Sequence, residues 1–233
     1  MTEINYVVSL GLTCFSAEYL RKVGLRLSAY PFDWVYSHPQ MIIDCLDNNF
    51  ANFLNKNCYQ GQTKERFCRH TIYDTELPLY PHHKPPTFFH HNPLNQVDYN
   101  YLIRTIGRFR QLLKKPAPKL FLMTLTNRSG YIPNDIVTVI QRLKQTLDRM
   151  TPNAHLVVMN CLSAGPYYKQ PSRLDHIDSK GNGLTIINLI TSETIATLFS
   201  DNNDWALYKG QLDSLFKFNL FPAPDCVKEK DPW

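Results

Sequence analysis

The chain has 233 residues, is 43% hydrophobic and 12% aromatic, and carries a formal net charge of +5. That is enough to bury a sizeable core within one large domain. No apolar run approaches the length of a membrane-spanning helix, and the start, MTEINYVVSLG, lacks the basic opening and long apolar region of a secretory signal. The expected location is therefore the cytoplasm, or a destination reached by delivery from it.

The basic residues are dispersed. Their densest group, Arg104, Arg108 and Arg110 with Lys114 and Lys115, reads as the solvated face of a helix, so nucleic acid is not the expected partner. The six cysteines, at 14, 45, 58, 68, 161 and 226, form no CxxC pair and keep no repeating spacing. Neither a structural zinc site nor a dense disulfide framework is expected.

Four short apolar runs have strand character: Tyr6 to Leu10, Leu120 to Leu125, Leu156 to Cys161 and Leu184 to Ile190. Between them lie helical periods. Phe15, Tyr19, Leu20 and Val23 share a face after the first strand. Leu102, Ile103, Ile106, Phe109 and Leu113 do so before the second. Ile136, Ile140, Leu143 and Leu147 follow it, with Asn134 placed as the cap. A last helix carries Trp205, Tyr208, Leu212 and Leu215, with Asp204 as its cap and Trp205 as its anchor.

Strands alternating with helices imply a layered αβα sandwich with a mainly parallel central sheet, Rossmann-like in plan. Residues 55 to 98 break the alternation with an irregular His- and Pro-rich insertion. No internal repeat or linker divides residues 1–233, so a single α/β domain is expected.

Gly11, Thr13 and Cys14 fall where the first strand turns into the first helix. With Thr13 as cap, Cys14 lies in the first turn, where unpaired N–H groups and the helix dipole favour negative charge. A thiolate is stabilised there, as a nucleophile requires. The same turn also reads as an anion pocket, with Gly11, Thr13, Cys14 and Ser16 around a phosphate and Arg21, Arg26 or Arg104 as its partners. A third reading packs Cys14 as a small residue beneath the helix.

His90 and His91 follow Phe88-Phe89, and adjacent side chains in an extended segment point apart, so one of them at most faces Cys14. Asp33, Asp98 and Asn92 are all candidates to orient the imidazole. Asp33, within Pro31-Phe32-Asp33-Trp34, also reads as a cap or as the partner of Arg21 or Arg26. His82-His83 lacks the carboxylate or cysteine spacing that would make a metal site. Tyr167-Tyr168 would suit stacking on a sugar or base, and nothing in the sequence selects that use.

Ser9-Leu10-Gly11, Cys14, Ala17, Leu20-Arg21, Gly24-Leu25-Arg26, Ser28 and Pro31-Phe32-Asp33-Trp34 together resemble the opening signature of a domain-of-unknown-function family described as putative papain-like cysteine peptidases. Phe89-His90-His91, the helix around Arg104 to Arg108 and Lys119-Leu120-Phe121 also fit its layout. The resemblance implies a thiol hydrolase, with Cys14 as nucleophile and His90 or His91 as base, and no cofactor. The chain lacks the Gln that in papain-like enzymes precedes the cysteine and completes an oxyanion hole.

The first expectation is thus a cysteine-dependent hydrolase or acyl transferase acting on a peptide, amide or ester. A nucleotide-sugar or other phosphate-ligand enzyme, and a non-catalytic interaction module, are the alternatives.

Overall fold

A computed structural model describes residues 1–75, 84–127, 130–163, 171–192, 194–195, 198–199 and 201–223. In chain order these form β1 (Thr2–Ile4), β2 (Tyr6–Ser9), α1 (Phe15–Lys22), α2 (Pro39–Asp47), β3 (Tyr59–Gln60) and β4 (Arg69–His70). Then come α3 (Gln96–Leu113), β5 (Lys119–Asn127), α4 (Asn134–Met150), β6 (Ala154–Ser163), β7 (Arg173–Ser179) and β8 (Leu184–Thr191). The chain closes with β9 (Thr194–Ile195), β10 (Leu198–Phe199), α5 (Asn202–Leu215) and β11 (Phe216–Phe218).

The central sheet has the order β2-β5-β6-β8-β7. The four expected strands β2, β5, β6 and β8 run parallel, and β7 pairs antiparallel with β8 at one edge. The protein is therefore a mixed α/β structure around a mainly parallel sheet. Period-2 alternation divides the strand side chains between two cores. Val8, Phe121, Met123, Leu156 and Val158 pack with residues of α2, α3 and α4. Val7, Leu120, Leu122, Val157 and Met159 pack with residues of α1 and α5. Two-sided burial is why these strands read as unbroken apolar runs.

β7 and α2 are the longest of the elements that the sequence does not mark. β7, sequence RLDHIDS, is largely exposed, so no apolar alternation marks it. α2 is a nine-residue helix that begins at Pro39, with the His38 ring accepting from Met41 N–H at 3.2 Å. Two expected caps are corrected. Asn134 is the first residue of α4, preceded by Pro133 at the cap position. At α5 the cap is Asp201, which accepts from Asn203 N–H at 2.8 Å. Asp204 is fully buried instead and accepts from the amide and hydroxyl of Ser192. Trp205 anchors α5 as expected, donating from Nε1 to Phe199 O at 3.2 Å.

The stretch from 55 to 98 holds more order than its composition suggests. β3 and β4 pair antiparallel, and a chain of aromatic contacts runs from Tyr59 through Phe88 and Phe53 to Tyr73, on which His70 stacks. Aromatic burial compensates here for missing regular structure. His82 and His83, Tyr167 and Tyr168, and Cys226 lie outside the described residues.

Candidate active site around the first turn

Leu10 leaves the sheet by donating its N–H to Leu122 O at 2.8 Å, and the chain then turns sharply at Gly11. Gly11 has φ +85°, and a Cβ there would sit 2.0 Å from Ser37 Oγ. Only glycine fits both demands. Ser37 clamps the turn: its hydroxyl donates to Leu10 O at 2.7 Å and its amide to Leu12 O at 3.0 Å.

Thr13 Oγ1 accepts from Phe15 N–H at 3.2 Å, and Cys14 occupies the cap position of α1. Cys14 is thus one residue earlier than the first turn, at the mouth of the helix. Its side chain is half-buried, whereas Cys45, Cys58, Cys68 and Cys161 are buried. Burial pushes the Cys45 and Cys161 thiols up and Cys68 to about 11.

Ser16 is fully buried, with its hydroxyl donating to Gly11 O and lying 2.9 Å from Thr124 Oγ1. Thr124 continues the network to Tyr208 of α5 at 2.6 Å. Arg21 pairs with Glu18 on the exposed side of α1. Arg26 is nearly buried and donates from Nε to Asp33 Oδ2 at 2.9 Å. The same carboxylate oxygen accepts from Tyr30 N–H at 3.0 Å, so Asp33 closes the Tyr30–Asp33 turn as well as holding Arg26. Arg104 is exposed on α3.

Trp34 stands between this pair and His90. The Arg26 guanidinium lies 5.5 Å from its ring centre, and His90 meets it edge-on at 5.7 Å. Two residues on, the Tyr36 amide donates to Thr87 O at 2.9 Å, while Ser37 holds Leu12. Backbone hydrogen bonds therefore join the Cys14 turn, the Tyr36–Ser37 segment and the start of the segment bearing His90 and His91. The Tyr36 phenol is held above its ordinary value by burial and by the Cys14 sulfur nearby.

The two histidines have different partners. His90 is half-buried, and its Nδ1 lies 3.4 Å from Arg66 Nη2. A guanidinium only donates, so Nδ1 accepts and the neutral ring carries its proton on Nε2. Burial, helped by Arg66 and His91, lowers the His90 pKa and keeps that ring neutral at pH 7.

His91 is 5% exposed, stacks on Tyr101 at 4.2 Å, and lies with Nδ1 3.1 Å from Asp98 Oδ1. Its Nε2 is enclosed and has no hydrogen-bond partner among the described residues. Asp98 Oδ2 also accepts from Asn92 N–H and from the Asn95 amide, each at 2.8 Å. Burial raises the Asp98 pKa, but these donors outweigh it and hold the carboxyl below its usual range. Asn95 caps α3 by accepting from Asp98 N–H, which fixes the carboxylate beneath the imidazole.

Residues 5–163 match the family model described as "Putative papain-like cysteine peptidase (DUF1796)". The chain belongs to that family. The matched span contains Cys14, His90, His91 and Asp98 and ends with β6; β7, β8 and α5 follow it. Over 226 residues the chain is also 24% identical to the uncharacterised protein R408 of Acanthamoeba polyphaga mimivirus, covering 88% of this chain and 97% of that protein. No solved structure matches.

In this family member the signature residues divide by task. Gly11 and Ser16 shape the turn, Arg26 and Asp33 brace Trp34, and Thr13 and Cys14 stand at the helix mouth. The Asp98 partnership with His91 was one of three open options in the sequence; the start of α3 selects it. Among the described residues no group of three metal-ligating side chains comes together, and no helix is long and apolar enough to cross a membrane.

Proposed function

We propose that the protein is a cysteine-dependent hydrolase or acyl transferase in which Cys14 is the nucleophile and His91, oriented by Asp98, is the general base. One observation carries the assignment of the base. The carboxylate at Nδ1 holds the ring proton there, so Nε2 presents a lone pair, and that atom has no partner among the described residues. A buried polar atom left unpaired is costly, and a catalytic role is one of the few reasons to keep one. This is also the arrangement that a nucleophile–base pair needs from its third member.

In the proposed reaction the Cys14 sulfur bonds to a substrate carbonyl carbon while its proton passes to His91 Nε2. The carbonyl oxygen takes up the negative charge, held by N–H groups at the start of α1. As the carbonyl re-forms, the bond to the amine or alcohol breaks, and that group leaves with the proton from His91. The thioester then yields its acyl group to water, or to a second acceptor, and the thiol is restored.

The test uses p-nitrophenyl acetate. The proposal expects an initial burst of nitrophenolate and an acetyl group on Cys14 by peptide mass spectrometry. Both should vanish in Cys14→Ser, and acylation in His91→Ala should slow by at least about a hundredfold, the low end for general-base catalysis. A burst that survives in Cys14→Ser refutes the nucleophile. Slowing in His90→Ala but not in His91→Ala moves the base to His90.

A further inference from the structure

Cys68 and Phe88 exchange both backbone hydrogen bonds, 2.8 Å from Cys68 N–H to Phe88 O and 3.1 Å in return, as an antiparallel pair. Their side chains are fully buried. Side chains alternate along extended strands, so the next residue out on each side, Phe67 and Phe89, emerges on the opposite face. Each is 40% exposed. One step further, Arg66 meets His90.

The pairing register sets two exposed phenylalanines, Phe67 and Phe89, opposite each other. Phe89 also packs edge-on against Tyr36 at 5.7 Å, and Tyr36 adjoins Ser37, whose amide holds Leu12 O in the turn before Cys14. The apolar surface is therefore continuous with the surroundings of the nucleophile. Its border carries exposed cationic side chains, Lys64 and Arg66, on the turn that leads into Phe67. Aromatic surface left open beside a reactive group, with charge at its margin, is what substrate selection requires.

We propose that Phe67 and Phe89, with Arg66 beside them, form the subsite for the acyl side of the substrate, and that this subsite takes a large apolar group bearing a carboxylate. The inference rests on the reading of Cys14 as the reacting atom. The apolar group lies against the two rings, and the carboxylate pairs with the guanidinium, whose planar donors suit it.

The test compares the rates at which three bromoacetyl compounds alkylate Cys14: N-bromoacetyl-phenylalanine, its primary amide, and N-bromoacetylglycine. In each case the sulfur displaces bromide and the probe stays attached, so mass spectrometry locates it. The phenylalanine acid should react about fivefold faster than the glycine compound, a modest gain suited to partly exposed aromatic contact. Phe89→Ala should remove that gain and Phe89→Leu should restore part of it. The acid should also outpace its amide by about threefold at low salt, and Arg66→Gln should abolish that preference.

Equal rates for the three probes in the parent protein, or preferences that persist in Phe89→Ala and Arg66→Gln, overturn the subsite. Rates are compared at about pH 7 and again near pH 9, where any reachable thiol is largely ionised. Slow labelling at the lower pH with the ordering intact at the higher one keeps the subsite and refutes the activated thiol. No labelling at either pH refutes both.

Discussion

Tyr36 donates its backbone N–H to Thr87 O at 2.9 Å, and next to it Ser37 donates to Leu12 O at 3.0 Å. Consecutive amides of one short segment thus hold the turn before Cys14 and the start of the histidine segment, although 75 positions separate residues 12 and 87 in the chain. The site depends on that segment keeping its place, and the first two predictions concern what keeps it there.

Gly11 meets the side chain of Ser37 at the tightest point of the turn. Gly11→Ala should lower stability by roughly 2 kcal/mol, because a side chain at positive φ is strained and the new methyl meets an oxygen. Urea unfolding measures the loss. Adding Ser37→Gly should recover part of it by clearing the oxygen; a double variant no better than the single one would place the cost in backbone strain alone.

The Arg26–Asp33 pair is nearly enclosed, with side chains 7% and 1% exposed. Arg26→Met takes the guanidinium away from a buried carboxylate and should cost roughly 3 kcal/mol. Arg26→Lys should cost less, since it keeps the charge but not the planar fork. The ring also loses its cation, so the Trp34 fluorescence maximum should move in Arg26→Met. An unchanged spectrum with unchanged stability would refute the bracing role.

Asp98 has a carboxyl held below its usual range in the folded protein. A depressed folded pKa contributes stability that is fully present above the unfolded value, about 4, and is lost as pH falls through the folded one. The parent protein should therefore lose stability between about pH 5 and pH 2, and Asp98→Asn should lose less over the same interval. Parallel stability–pH curves for the two proteins would contradict this account.

The strands of the central sheet were legible because both their faces are buried, so Val7-Val8 and Leu156 to Met159 needed no alternation to stand out. β7 was hidden for the opposite reason: an exposed edge strand of charged residues has no apolar pattern to read. At α5 the cap is Asp201 and not the expected Asp204. Burial of the second against Ser192 decides between them, and burial is a tertiary fact.

The candidate site divides in the same way. A cysteine three residues after a turning glycine is a local pattern, legible in the sequence. The choice of Asp98 over Asp33 for His91 depends on where α3 starts and on Arg26 reaching Asp33. The neighbouring positions of Phe67 and Phe89 depend on a bridge between segments that share no periodicity.

The most direct measurement is the pH profile of iodoacetamide labelling, resolved to individual cysteines by mass spectrometry. The account predicts that Cys14 reacts first among the described cysteines, with a midpoint at least about one unit below the ordinary thiol value near 8.5. Cys14 labelling no faster than buried Cys45 or Cys161, or titrating with a midpoint at or above that ordinary value, would contradict it.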